Sequence, residues 1–262
     1  MNCHGVNVTC KHLPPLDPGF VPLLRFNRAF LEGARKPLGL AVERAGGQTA
    51  VYETFIHGTE EMAGADRYYI DRLAKTILWM KGGFRILVRG DRGIFEYLRD
   101  AYRSGGSRAF DADFMAGVYE RPFEVLEAGA LPAETDGAKA VGGHLNGCRI
   151  GFDAGGCQTV YSEETVWHPK LQTDPQYHYD GIVASLRAAA AHLPRVDAVG
   201  VSSAGVFIED RAMTASLFLK IPPERKAETR DVFIRAITDT FGPVPYSIIN
   251  DGDVSALAGA MS

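Results

Sequence analysis

The sequence predicts an α/β protein built in two successive parts, and three observations carry that expectation. β-rich runs alternate with amphipathic helical segments along most of the 262 residues, the pattern of sheets with parallel strands and crossover helices. From 128 to 147 the alternation lapses into "AGALPAETDGAKAVGGHLNG", rich in Gly and Ala and without apolar periodicity, which reads as a linker. Beyond it, strands and helices begin again. A hydrophobic content of 46% with 10% aromatic residues is enough to fill a core, and no fixed-period repeat points to a solenoid.

Residues 1–36 read as an irregular segment broken by Pro14, Pro15, Pro18 and Pro22, with one short helix near Leu23 to Leu31. An α/β region, 37–127, follows. Its hairpin joins "LGLAVER" to "TAVYETFIH" around Gly46 and Gly47. The helix in "DRYYIDRLAKTILWMKGG" aligns Ile70, Leu73, Ala74, Ile77 and Leu78 on one face and stops at Gly82 and Gly83. "FRILVRG" is a buried strand, "GIFEYLRDAYRSGG" a second amphipathic helix and "FEVLEAG" a further strand. The second part, 148–262, supplies strands "RIGFDAGG" and "TVYSEETVW", then the polar connection "HPKLQTDPQYHYDG". A helix with Ile182, Leu186, Ala189, Ala190 and Leu193 on one face precedes strand "VDAVGVSS". A helix from about Glu224 to Thr240, striped by Val232, Phe233, Ala236, Ile237 and Phe241, leads to strand "PYSIIN" and a closing Ala-rich helix.

Charge narrows the partners. A formal net charge of -4 and a pI near 6.0 give no basic footprint for nucleic acid or an anionic membrane surface. The N-terminus lacks the basic and apolar regions of a signal peptide, and no apolar run reaches spanning length. The expectation is a soluble cytoplasmic protein that handles small molecules or other proteins. Four cysteines are too few for a disulfide scaffold. "CHGVNVTCKH" holds Cys3, His4, Cys10 and His12, which are zinc-ligating types without a zinc spacing, so the segment reads as a loosely packed tail. His168, Asp174, His178 and Asp180 share one connection, again without a fixed ligand spacing, and read as a solvated loop.

Three short stretches carry residues suited to chemistry. In "IGFDAGG" a strand delivers Asp153 and then Gly155 and Gly156, a turn whose open N–H groups suit phosphate and whose carboxylate suits Mg2+. A plain hairpin turn has the same composition. In "GVSSAGVF" small residues follow a buried strand, and the hydroxyls of Ser202 and Ser203 can orient a polar ligand or form local turns. In "IINDGDVSALAGAM" Asp251 occupies the carboxyl end of a strand, where a general base belongs, while Asn, Asp and Gly there also serve as helix caps.

Asp-x-Gly-Gly, then Ser-Ala-Gly, then Asn-Asp before an Ala-rich helix, in that order over 148–262, resembles the ROK family of sugar kinases and sugar-responsive regulators. These belong to the actin-like ATPase superfamily. The resemblance implies a ribonuclease H-like lobe with a mixed sheet flanked by helices, preceded here by a smaller α/β region. It implies that Asp153, Gly155 and Gly156 meet ATP phosphates and the hydrated Mg2+, and that Ser203, Ala204 and Gly205 border the sugar. Asn250 and Asp251 would bind the sugar hydroxyl, with Asp251 taking its proton. ATP and Mg2+ are therefore the implied cofactors, and this chain does not support zinc. Two departures stand out: Cys157-Gln158-Thr159 replaces Gly-Thr-Lys, and "TVYSEETVW" reads as one strand where the family has two. The family's second lobe would follow Ser262, so the 262 residues alone are expected to show no sugar kinase turnover, to bind nucleotide weakly if at all, and either to self-associate or to fray after Asp251, with a second copy or a completing lobe as partner. The other function class is a non-catalytic sensor of sugar or nucleotide on the same fold. No helix-turn-helix is visible in the first 36 residues, which argues against a repressor.

Overall fold

A computed structural model describes residues 1–12, 14–137, 147–154, 159–162, 165–167 and 172–261. The protein is α/β, and it divides into two compact units, Met1–Lys139 and Ala140–Ser262.

In the first unit a two-rung hairpin, β1 (Asn2–Cys3) and β2 (Val6–Asn7), precedes α1 (Leu23–Gly33). Strands β3 (Lys36–Glu43) and β4 (Thr49–Ile56) are joined through Gly46 and Gly47, both left-handed with φ of 66° and 72°. Then come α2 (Ala63–Lys81), β5 (Arg85–Arg89), α3 (Arg92–Tyr102), α4 (Ala109–Tyr119) and β6 (Glu124–Glu127). The sheet order is β4-β3-β5-β6, with β3 antiparallel to both neighbours and β6 parallel to β5. Leu38, Leu40, Val42, Ile86 and Val88 project from it into one core with Phe26, Phe30, Ile70, Ala74, Leu78 and Leu98. Each of the Val, Leu, Ile and Phe side chains contributes roughly 1.5–3 kcal/mol on burial.

Three features of this unit differ from the sequence expectation. Val6 and Val8 are buried in the core and Cys3 and Cys10 pack against it, so the opening residues are not a loose tail. Helix α4 carries apolar residues on every face and no stripe, which hides it from a periodicity reading. Ala128 donates its N–H to the Val88 carbonyl, and Thr135 exchanges backbone hydrogen bonds with Thr49 at 3.0 and 3.2 Å. The segment read as a linker is thus partly built into the unit.

In the second unit β7 (Arg149–Ala154) is followed by a separate antiparallel pair, β8 (Thr159–Ser162) and β9 (Thr165–Trp167). The single strand expected over "TVYSEETVW" is therefore two. Helix α5 (Pro175–Ala190) starts at an Asp174 cap, whose carboxylate accepts from the Gln176 N–H at 3.2 Å, and Pro175 occupies its first turn. Strand β10 (Ala198–Ser203), the hairpin β11 (Gly205–Ile208) and β12 (Arg211–Ala215), α6 (Val232–Phe241), β13 (Tyr246–Asn250) and α7 (Asp251–Met261) complete it. The helix expected from Glu224 is a 3-10 segment, Pro223–Thr229, followed by α6. Among the described residues β7, β10 and β13 form one parallel sheet in the order β13-β10-β7. Ile150, Phe152, Val199, Val201 and Ile248 face a core filled by Ile182 and Leu186 of α5 and by Phe233 and Ile237 of α6.

Candidate functional site

The parallel register of the second unit brings the three chemistry-bearing stretches together at one end of the sheet. Asp153 pairs with Ser202 and Ala154 with Ser203 across β7 and β10, while Ser203 pairs with Asn250 across β10 and β13. All three strands end on these rungs. Carboxyl ends of parallel strands are where open α/β sheets bind ligands, because the connections leaving them diverge there.

Side-chain alternation then sorts the residues by face. Along β7, Ile150, Phe152 and Ala154 are buried while Arg149, Gly151 and Asp153 are exposed. Paired rungs point the same way, so Asp153 and half-buried Ser202 share the outer face, and Ser203 and Asn250 share the inner one. Ser203 is 1% exposed, and its hydroxyl donates to the Ala154 carbonyl at 3.1 Å. Ala204 and Gly205 form the sharp exit from β10 into β11. A Cβ on Gly205 would lie 2.3 Å from the Thr214 carbonyl oxygen, so the close approach of β12 requires glycine there.

Asn250 is engaged in both directions. Its Nδ2 donates to the Gly205 carbonyl at 2.8 Å, and its Oδ1 accepts from the Gly252 N–H at 2.7 Å, which makes it the cap of α7. Asp251 is the first residue of that helix and lies exposed, its Oδ1 accepting from the Gly252 N–H at 2.9 Å. A carboxylate there is favoured by the partial positive charge of the helix start. Gly155 and Gly156 lie outside the described residues, as does His168. Asp174 caps α5, and Asp180 accepts from Gln176 Nε2 at 2.8 Å. His178 is fully buried in the core against Phe218, where burial pushes its pKa below the usual imidazole range. That connection is therefore only partly a solvated loop. Among the described residues no three or more His, Cys, Asp and Glu side chains gather as a metal-ligating group, and no helix is long and apolar enough to cross a membrane.

Comparison with protein-family models, curated proteins and solved structures gives no match to this chain.

One contributor was not visible in the sequence. The β11–β12 hairpin turns through Glu209 and Asp210, both left-handed at φ 53° and 65°, where Asn and Gly normally signal the turn. From that turn the Asp210 carboxylate accepts the Ile248 N–H at 2.8 Å and ties the hairpin to β13. After its first glycine "GVFIEDRAMTA" has no Gly, Asn or Pro, and Asp210 alone is a weak marker for the turn, so the hairpin is hard to read from the sequence.

Proposed function

We propose that residues 148–262 form a ROK-type lobe that binds a sugar and a nucleotide, for transfer of the ATP γ-phosphoryl group to a sugar hydroxyl. One observation supports the reading: Asp153, the Ser203-Ala204-Gly205 exit and the Asn250-Asp251 pair lie together at the carboxyl ends of neighbouring parallel strands or just beyond, in the order of the motifs. In this chemistry the sugar oxygen bonds to the γ-phosphorus as the bond from that phosphorus to the β–γ bridging oxygen breaks. ADP leaves, and the hydroxyl proton passes to the Asp251 carboxylate. Asp251 is exposed and so open to a ligand.

The donor set suits a hydrated Mg2+, which takes one or two carboxylates and keeps several waters, since Asp153 is an exposed carboxylate beside the Ser202 hydroxyl. When bound, the ion neutralises phosphate charge. Asp153 would hold it, and the backbone N–H groups of Gly155 and Gly156 would meet the phosphates.

Isothermal titration of the chain with MgATP, and then with a panel of hexoses, tests the proposal. Binding of both supports it. Hexose binding without nucleotide binding assigns the lobe to a sensor instead, and silence toward both removes the sugar kinase reading.

A further inference from the structure

Resting on the ROK-type reading, we infer that Asn250 is a positioning residue and not a ligand contact. Its carboxamide reaches two backbone groups that belong to different elements and that both border the site: the carbonyl of Gly205, where β10 turns into β11, and the N–H of Gly252, in the first turn of α7. The two bonds, 2.8 and 2.7 Å long, use the donor and the acceptor ends of one short side chain. The Ala204–Gly205 turn and the start of α7 are thereby held at a fixed separation.

Neighbouring contacts extend the same fastening. Ser216 donates its N–H to the Ala204 carbonyl at 2.8 Å, and Asp210 fixes the far end of the hairpin through the Ile248 N–H. The hairpin is therefore tied to β13 at both of its ends. Such ties matter because the separation between Ser202, on β10, and Asp251, on α7, is set by how the strand exit and the helix start are joined. Alternation places Asn250 on the inner face of the sheet with buried Ser203, whereas Asp153 and Ser202 face outward. Ligand contact then falls to Asp153, Ser202 and Asp251. Asn250 and Ser203 hold the backbone beneath them.

The experiment uses the full chain as wild type, Asn250→Ala and Asn250→Asp, titrated with hexoses in the presence of MgADP, with the Asn250 side-chain amide followed by nitrogen-15 NMR. Positioning predicts carboxamide protons that exchange at least about tenfold more slowly than those of a free asparagine side chain, and a signal that stays in place when sugar saturates the protein. It also predicts that both variants lose about tenfold in sugar affinity, because the Asp carboxylate keeps the Gly252 bond but meets the Gly205 carbonyl without a donor. Wild-type affinity in Asn250→Asp, an amide signal that moves on sugar binding, or exchange as fast as free asparagine each overturns the inference. If no hexose binds the wild type, the kinase reading fails, and the amide exchange rate still decides whether Asn250 is fastened.

Discussion

Asp153 and Ser202 occupy the same rung of the parallel pair β7–β10 and share its outer face, one rung before both strands end. The carboxylate is exposed, so its removal has little effect on folding, within about 0.5 kcal/mol. Asp153→Ala is expected to lower MgATP affinity about tenfold or more and to flatten its dependence on Mg2+ concentration, since a charge-assisted contact contributes roughly 1.5–3 kcal/mol. Calorimetric titration at several Mg2+ concentrations reads both effects. Unchanged affinity would remove Asp153 from the nucleotide site.

Asp111 on α4 holds three neighbours around a carboxylate that is 3% exposed. Lys75 Nζ lies 3.0 Å from it, Trp79 Nε1 donates at 2.8 Å, and Arg108, which also pairs with Asp71, lies 3.7 Å away. Asp111→Ala leaves these donors around an empty acceptor and is expected to lower stability by about 2–4 kcal/mol. Asp111→Asn keeps the Trp79 bond and is expected to cost about half as much. Urea unfolding of the three proteins gives the order, and equal midpoints would show that the network is dispensable.

Gly90 takes a φ of 105° at the exit from β5, and a Cβ there would sit 2.6 Å from the Pro37 carbonyl oxygen. Strained backbone and a clash with main chain act together, so Gly90→Ala is expected to cost about 2–3 kcal/mol. Gly105 is the control. Its φ is 74° with nothing within 4 Å, and only the left-handed penalty of about 1 kcal/mol applies to Gly105→Ala. Thermal unfolding separates the two, and equal shifts would refute the steric argument.

His178 gives the second unit a pH dependence. Burial lowers its folded pKa below 6.5, with the Gln172 backbone and Asp174 opposing the shift only in part. Above about pH 6.5 both folded and unfolded chains carry the neutral ring. Below it the unfolded chain binds the proton more readily, and stability falls as pH drops from 6.5 toward the lowered folded pKa. His178→Phe, which keeps an aromatic ring against Phe218, is expected to flatten this part of the stability–pH curve. Chemical denaturation at pH 7.5, 6.5 and 5.5 checks it, and identical slopes in both proteins would exclude His178.

The sequence by itself determined the elements whose cause is local. The apolar spacing of Ile70, Ala74 and Leu78 has one helical solution, Gly82 ends that helix with a φ of 71°, and alternation along "RIGFDA" already assigns an inner and an outer face. The order of Asp153, Ser203 and Asp251 along the chain was equally open to reading. Tertiary structure decided the rest, because those outcomes depend on partners distant in sequence. Val6 and Val8 enter the core because distant residues such as Phe26 and Phe30 of α1 gather with them in one cluster. Helix α4 has no stripe to display, and the β11–β12 turn is held by Asp210 reaching Ile248 in place of a turn glycine. At the candidate site the decisive choice is of the same kind. An asparagine at the end of a strand looks identical whether its amide meets a ligand, a carbonyl or a helix start, and only the approach of Gly205 and Gly252 to Asn250 fixes which groups satisfy it.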